Sequence, residues 1–140
     1  MMTGKRPGPG SPGRTADRFN QCACARLLGM EVAGTWPGGA RVVMEGGGKE
    51  NPEGVVHGGA IFALADHAFG LAANHGGGRE VALSATIQYL APATGRLEAV
   101  AERVGENGGH ALYRVEVFQE DRVVAIFEGV GIRMPRDDGA

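Results

Sequence analysis

The chain has 140 residues, enough for one compact domain with one core and too few for two comfortable ones. With 43% hydrophobic and 21% charged residues and a formal net charge of -2 at pH 7, it has the composition of a globular chain rather than a disordered one, and no charge excess that would recruit nucleic acid. Its two cysteines, Cys22 and Cys24, are too few for a disulfide scaffold and lack the second ligand pair that would complete a zinc-type site, so no metal is expected.

Residues 1–15 are rich in Gly, Pro, Ser, Lys and Arg, a composition that buries too little apolar surface to offset its ordering entropy, and they are read as a disordered arm. Basic residues occur there without an apolar h-region behind them, which does not fit a secretory signal and leads to the expectation of a cytoplasmic protein. Residues 16–140 are assigned to a single domain. Within it, residues 16–28 suit a short helix with Phe19, Cys22, Leu27 and Leu28 as apolar positions and Gly29 as its stop. Residues 30–35 and 40–44 are two extended runs around Trp36-Pro37-Gly38-Gly39, which is turn chemistry and predicts a hairpin. Gly46-Gly47-Gly48 opens a loop.

Residues 60–73 are apolar apart from Asp66 and His67 and fall short of the roughly 20 residues that span a bilayer. They predict a buried helix and no membrane partner. Beyond it Val81, Leu83, Ala85, Ile87 and Tyr89 alternate with more polar neighbours until Pro92 ends the run. Residues 97–104 place Glu98 and Glu102 on one face. Residues 111–118 set Tyr113, Val115 and Val117 against Arg114 and Glu116, and residues 123–134 are nearly continuously apolar. Asn107-Gly108-Gly109 and Glu120-Asp121 supply the turns between them.

This order, with no internal repeat, is an α+β plan. A helix apolar on nearly every side must be covered on most of them, and a curved antiparallel sheet wrapped around a long central helix does so, which is the hotdog fold.

The segment from Asn51 through Gly54, His57, Gly58 and Gly59 to Asp66 carries the chemistry. Ile61, Leu64, Ala68 and Leu71 form one helical stripe suited to a sheet, and Asp66 lies opposite, among Phe62, Ala63, Phe69, Gly70 and Ala73. A carboxylate in such company either meets an amide or an arginine from another element or is left desolvated, with a raised pKa and a functional role. Gly58 and Gly59 are poor helix formers where a helix should begin. They make either a tight loop-to-helix turn or a backbone that a ligand approaches closely, with the Gly58 amide available as an oxyanion donor. Gly58 and Asp66 are eight residues apart, which is about 12 Å of helix. They cannot serve one carbonyl from one chain, so a shared mechanism requires at least a symmetric dimer.

Asn51, Gly54, His57-Gly58-Gly59 and Asp66, with Ala68-Phe69-Gly70, Asn74, Tyr89-Leu90-Ala91-Pro92-Ala93 and Gly95, resemble the PaaI-type branch of the hotdog thioesterases, named for phenylacetic acid degradation. The resemblance runs over roughly residues 26 to 134. It implies hydrolysis of an acyl-CoA thioester, aromatic of the phenylacetyl kind or medium-chain, without a cofactor, coenzyme A being part of the substrate, in homodimers that pair into homotetramers. Carried over by position, Gly58 polarises the carbonyl, Asp66 is general base or nucleophile, and Asn51 and His57 position the thioester or the water. Gly59, Phe62 and Phe69 are the expected substrate-binding residues. His67 is assigned a structural or interfacial place, His75 and His110 face solvent, and Arg41, Arg79 and Arg103 are candidate phosphate partners. Arg96 stands where this branch commonly has an acid. A non-catalytic acyl-CoA binding or sensing module and a hotdog hydratase or dehydratase are the rival readings. The first would need a response element, and the second would need a histidine and an acid acting on the acyl carbons.

Overall fold

The computed structural model describes residues 14–135. Nearly all of the expected N-terminal arm, residues 1–13, therefore lies outside the described residues. Arg14 and Thr15, its last two positions, are already helical. They open α1 (Arg14–Gln21), where Thr15 is buried and its hydroxyl donates to the Asn74 carbonyl at 3.2 Å. The single helix expected over residues 16–28 is divided in two. Cys22 is extended, and its sulfur accepts the Ala25 N–H at 3.4 Å, capping α2 (Ala23–Leu28), which Gly29 ends in the left-handed conformation at φ 69°. A thiol thus does here what Ser or Asp does at most helix starts.

Six strands follow in one sheet: β1 (Glu31–Trp36), β2 (Gly39–Met44), β3 (Glu80–Tyr89), β4 (Leu97–Asn107), β5 (His110–Gln119) and β6 (Arg122–Arg133). Their order is β1-β2-β4-β5-β6-β3, every pairing antiparallel, so β1 and β3 are the edges. Between β1 and β2 the turn is Pro37-Gly38, with Gly38 at φ 74°, as proline followed by glycine dictates. The long helix α3 (Gly58–Ala73) connects β2 to β3 and packs against the inner face of the sheet.

That inner face is written at period two: Leu97, Ala99 and Ala101 on β4, Tyr113, Val115 and Val117 on β5, and Ala125 and Phe127 on β6 are all buried, against Ile61, Leu64, Ala68 and Leu71 of α3. Small residues recur where the helix comes closest. Gly129 has Phe69 against it, and a Cβ added there would lie 3.0 Å from that ring.

β3 departs from the simple alternation. The pairing with β6 shifts between Ala82 and Ser84, leaving Leu83 as an extra residue. A bulge of one residue exchanges the faces of everything before it. Ala85 and Ile87 pack on the core, whereas Val81 and Leu83 are left exposed at 41% and 55%. On the N-terminal side of the bulge Glu80 and Ala82, opposite Arg133 and Gly131, take the inner face instead.

Asn74 fixes the end of α3 to the start of β3. Its amide donates to the Gly70 carbonyl at 2.8 Å, and its carbonyl accepts the Glu80 N–H at 2.9 Å, closing the Gly76-Gly77-Gly78 loop. No helix among the described residues is long and apolar enough to cross a membrane.

Because Leu64 is fully buried in the middle of α3, Leu64→Ala is expected to lower unfolding free energy by about 2–5 kcal/mol in chemical denaturation. A loss under roughly 1 kcal/mol would mean that the helix is not clasped as described.

Candidate active site

The loop before α3 is tied down by main-chain bonds. Gly46 N–H donates to the Gly95 carbonyl at 3.1 Å, Val56 to Ala93 at 2.8 Å and His57 to Lys49 at 2.8 Å. Asn51 builds the turn inside it. Its side-chain oxygen accepts the N–H groups of Glu53 and Val55 at 2.9 and 3.3 Å, while Gly54 takes φ 84°. The Asn51 side-chain amide nitrogen makes no hydrogen bond among the described residues.

His57 is the N-cap of α3, and its Nδ1 accepts the Gly59 N–H at 2.9 Å. The bonded nitrogen must carry a lone pair, so the neutral ring holds its proton on Nε2. Ala60 N–H donates to the His57 carbonyl at 2.9 Å. Of the amides that a helix start leaves open, only that of Gly58 has no partner among the described residues. A Cβ at Gly58 would stand 3.2 Å from the hydroxyl of Tyr89, which donates to the Gly58 carbonyl at 2.9 Å, so a larger residue here makes that exposed ring shift by a few tenths of an ångström.

Asp66 lies two turns further on, on the wall of a cavity of about 230 Å³ that Phe19, His67, Phe69, Gly70 and Glu80 also line. Neither an amide nor an arginine meets its carboxyl among the described residues. Partial burial among apolar groups pushes its pKa above the usual carboxylate range. Phe69 is on this wall and stacks on Tyr113 and Phe127, with ring centroids 5.4 and 5.8 Å away. Phe62 does not line the cavity. It packs edge-on against Phe127 at 5.3 Å. Two groups of expected site residues therefore stand at separate places on α3: Asn51, His57, Gly58 and Gly59 at its start, Asp66 and Phe69 in its second half.

His67 is buried and stacks on Phe19 at 5.1 Å, and its ring hydrogen-bonds the Phe19 main chain. Burial lowers its pKa, and its Nε2 has no partner. The ring is therefore neutral, with the proton on Nδ1 facing the Phe19 carbonyl.

Of the cavity residues that sequence reasoning missed, two bear on its chemistry. Phe19 sits in a separate helix with no motif to single it out. Glu80 has a side chain only 6% exposed and an Oε1 without a hydrogen bond, and burial raises its pKa against the opposing pull of Arg133 and Arg103. A charged residue at a strand start reads as solvated, and only the bulge at Leu83 turns it inward. Among the arginines considered for phosphate, Arg41 is paired with Glu98. Arg96 pairs with Glu45 at 3.0 Å on the open surface.

Residues 53–126 match the family model described as "Thioesterase superfamily". The chain is 34% identical over 120 residues to the acyl-coenzyme A thioesterase PaaI of Escherichia coli K12, an alignment covering 83% of this chain and 86% of that protein. The solved structure of the E. coli PaaI protein from the phenylacetic acid degradation operon superposes with a TM-score of 0.80 at 32% identity, over 85% of this chain and 89% of that one. A mutant of the phenylacetic acid degradation protein PaaI of Thermus thermophilus superposes at 0.77 with 39% identity, over 81% and 100%. This chain belongs to the thioesterase superfamily and is a hotdog-fold thioester hydrolase of the PaaI type.

A raised carboxyl pKa has a cost in stability. The folded protein holds the Asp66 proton more tightly than the unfolded chain does, so stability is greatest below the unfolded pKa and is lost as pH rises through the folded one. Asp66→Asn is expected to raise Tm at pH 7, the gain vanishing below the ordinary aspartate range of about 3.9. A lower Tm at pH 7 would reveal a partner for the carboxylate.

Proposed function

We propose that this thioesterase hydrolyses acyl-CoA thioesters, with a phenylacetyl-type aromatic or a medium-chain acyl group, to free acid and CoA at sites shared between two copies of the chain. Asp66 of one copy acts as general base on water or as nucleophile. The Gly58 amide of the other receives the carbonyl oxygen as it gains negative charge. The carbon–sulfur bond then breaks and the thiol departs with a proton, so water is the only co-reactant. His57 and Asn51 position thioester or water, the first through its Nε2–H and the second through its free amide. Gly59, Phe62 and Phe69 contact the substrate.

The observation that carries this reading is a pair of unsatisfied groups on one rigid helix. The single unbonded amide at the start of α3 and the unpaired carboxyl of Asp66 are about 12 Å apart along the axis, too far for one carbonyl. The edge of the sheet supplies the second copy. β3 is one of the two edges of the sheet and exposes Val81, Leu83 and Tyr89; such an edge is a template for another strand. Its Tyr89 end touches Gly58, and its Glu80 end borders the Asp66 cavity. Antiparallel pairing of β3 with its own copy sets one end against the other, bringing Gly58 of each chain toward Asp66 of its mate. These dimers pair further into tetramers, as the family resemblance implies, and work in the cytoplasm.

In a free-thiol release assay over a panel of acyl-CoAs, Asp66→Ala is expected to be at least about 100-fold slower. Because the ionised carboxyl is the active form and its pKa is raised, the acid limb of kcat/KM should lie above the ordinary carboxylate range and vanish in that variant. Near-normal release by Asp66→Ala rejects the assignment, and no release by the wild type on any thioester favours a binding module.

The shared site has its own test. Gly58→Pro removes the amide at a helix position that tolerates proline, after a His57 already extended at ψ 136°. Alone, this variant and Asp66→Ala should both be inactive. Unfolded and refolded together in equal amounts, they should recover about a quarter of wild-type activity, since half the dimers are mixed and each carries one intact site. No recovery would place both groups in one chain's site.

A further inference from the structure

We propose that Phe19 is a specificity-determining residue of this enzyme: its ring, delivered by α1, closes one wall of the Asp66 cavity and limits the length of the acyl group. The inference rests on Asp66 being the reacting carboxylate, as argued above.

Phe19 comes from an element otherwise remote from the chemistry. α1 is fixed in place by Thr15 on the Asn74 carbonyl at 3.2 Å and by the Asn20 side chain, which accepts the Val32 N–H at 2.8 Å. Between those anchors Phe19 reaches over α3. There His67 stacks on its ring at 5.1 Å and holds its main chain by a hydrogen bond. Gly70 makes the seat: a Cβ on it would stand 3.2 Å from the Phe19 ring. A glycine in a helix interior is destabilising relative to alanine, and the close approach of Phe19 accounts for it. The wall is therefore built rather than incidental, with a ring, a stacked imidazole and a missing side chain all serving one contact.

The cavity so closed is small. At about 230 Å³ it falls below the roughly 300 Å³ at which ordinary small-molecule pockets begin. An acyl group longer than the space allows must displace Phe19 or stay in water, and against an apolar wall such as the Phe19 ring one methylene too many or too few is worth about 10-fold or more in kcat/KM. Ring size at position 19 should then set chain length, without touching the reacting atoms.

The test is a graded series, Phe19→Trp, Phe19→Leu and Phe19→Ala, assayed on butanoyl-, hexanoyl-, octanoyl- and decanoyl-CoA. The ratio of kcat/KM for decanoyl over butanoyl should fall in the tryptophan variant and rise in the order Phe, Leu, Ala, by about tenfold or more at the end of the series. A ratio is internal to each protein, so partial loss of fold does not move it, and the leucine variant stays informative if the alanine one is poorly folded. Binding of the same four thioesters, measured by calorimetry with each substitution placed in an Asp66→Asn background, should follow the same order. A ratio that stays flat across the series in both turnover and binding overturns the proposal. If binding follows the order while Asp66→Ala retains full turnover, the acyl wall stands and the role given to Asp66 falls.

Discussion

The structure turns on one rigid helix enclosed by a sheet. α3 is apolar along most of its circumference, so burying it requires strands curved around it, and the sheet order β1-β2-β4-β5-β6-β3 supplies them. Once it is clasped, nothing on α3 can move independently. The amide of Gly58 and the carboxyl of Asp66 stand a fixed distance apart, set by the helical rise alone. Enzymes whose groups sit on loops can adjust that separation. If both groups serve one carbonyl, as proposed, the α3 of a second copy must bridge it.

His57 decides which end of the helix dipole remains available. A bare helix start presents several N–H groups, any of which could draw an anion. By committing its Nδ1 to Gly59 and its carbonyl to Ala60, His57 leaves Gly58 as the one amide of this helix start without a partner among the described residues. Tyr89 then holds the Gly58 carbonyl, so this peptide is fixed from both sides. A donor held in that way needs no reorganisation to meet a developing charge, which is what the role proposed for Gly58 requires.

Much of this was legible in the sequence, for definable reasons. The hairpin around Pro37-Gly38, the buried helix and the three long strands follow from turn chemistry and periodicity, which are local properties. Asp66 stood out because an acid among Phe62, Phe69 and Gly70 contradicts its surroundings. Local reasoning failed where a single residue changed the phase. Cys22 broke one expected helix into two because a thiol served as cap, and Leu83 reversed the faces of β3 by adding one residue to the ladder. The second of these hid Glu80, whose inward turn no pattern of alternation could announce. Phe19 was hidden for another reason: its place depends on a contact with Gly70 that joins residues 51 positions apart.

The same arrangement explains why the Asp66 carboxyl meets no partner among the described residues. A salt bridge to Asp66 would stabilise the fold and return its pKa to the ordinary range, but a paired carboxylate is a weaker base and a poorer nucleophile. Among the described residues no side chain of the cavity wall, Glu80 included, hydrogen-bonds Asp66, and the His67 Nε2 has no partner. His67 is more than a spacer. Through its hydrogen bond to the backbone of α1 and its contact with the Phe19 ring, it holds the Phe19 wall of the cavity in place.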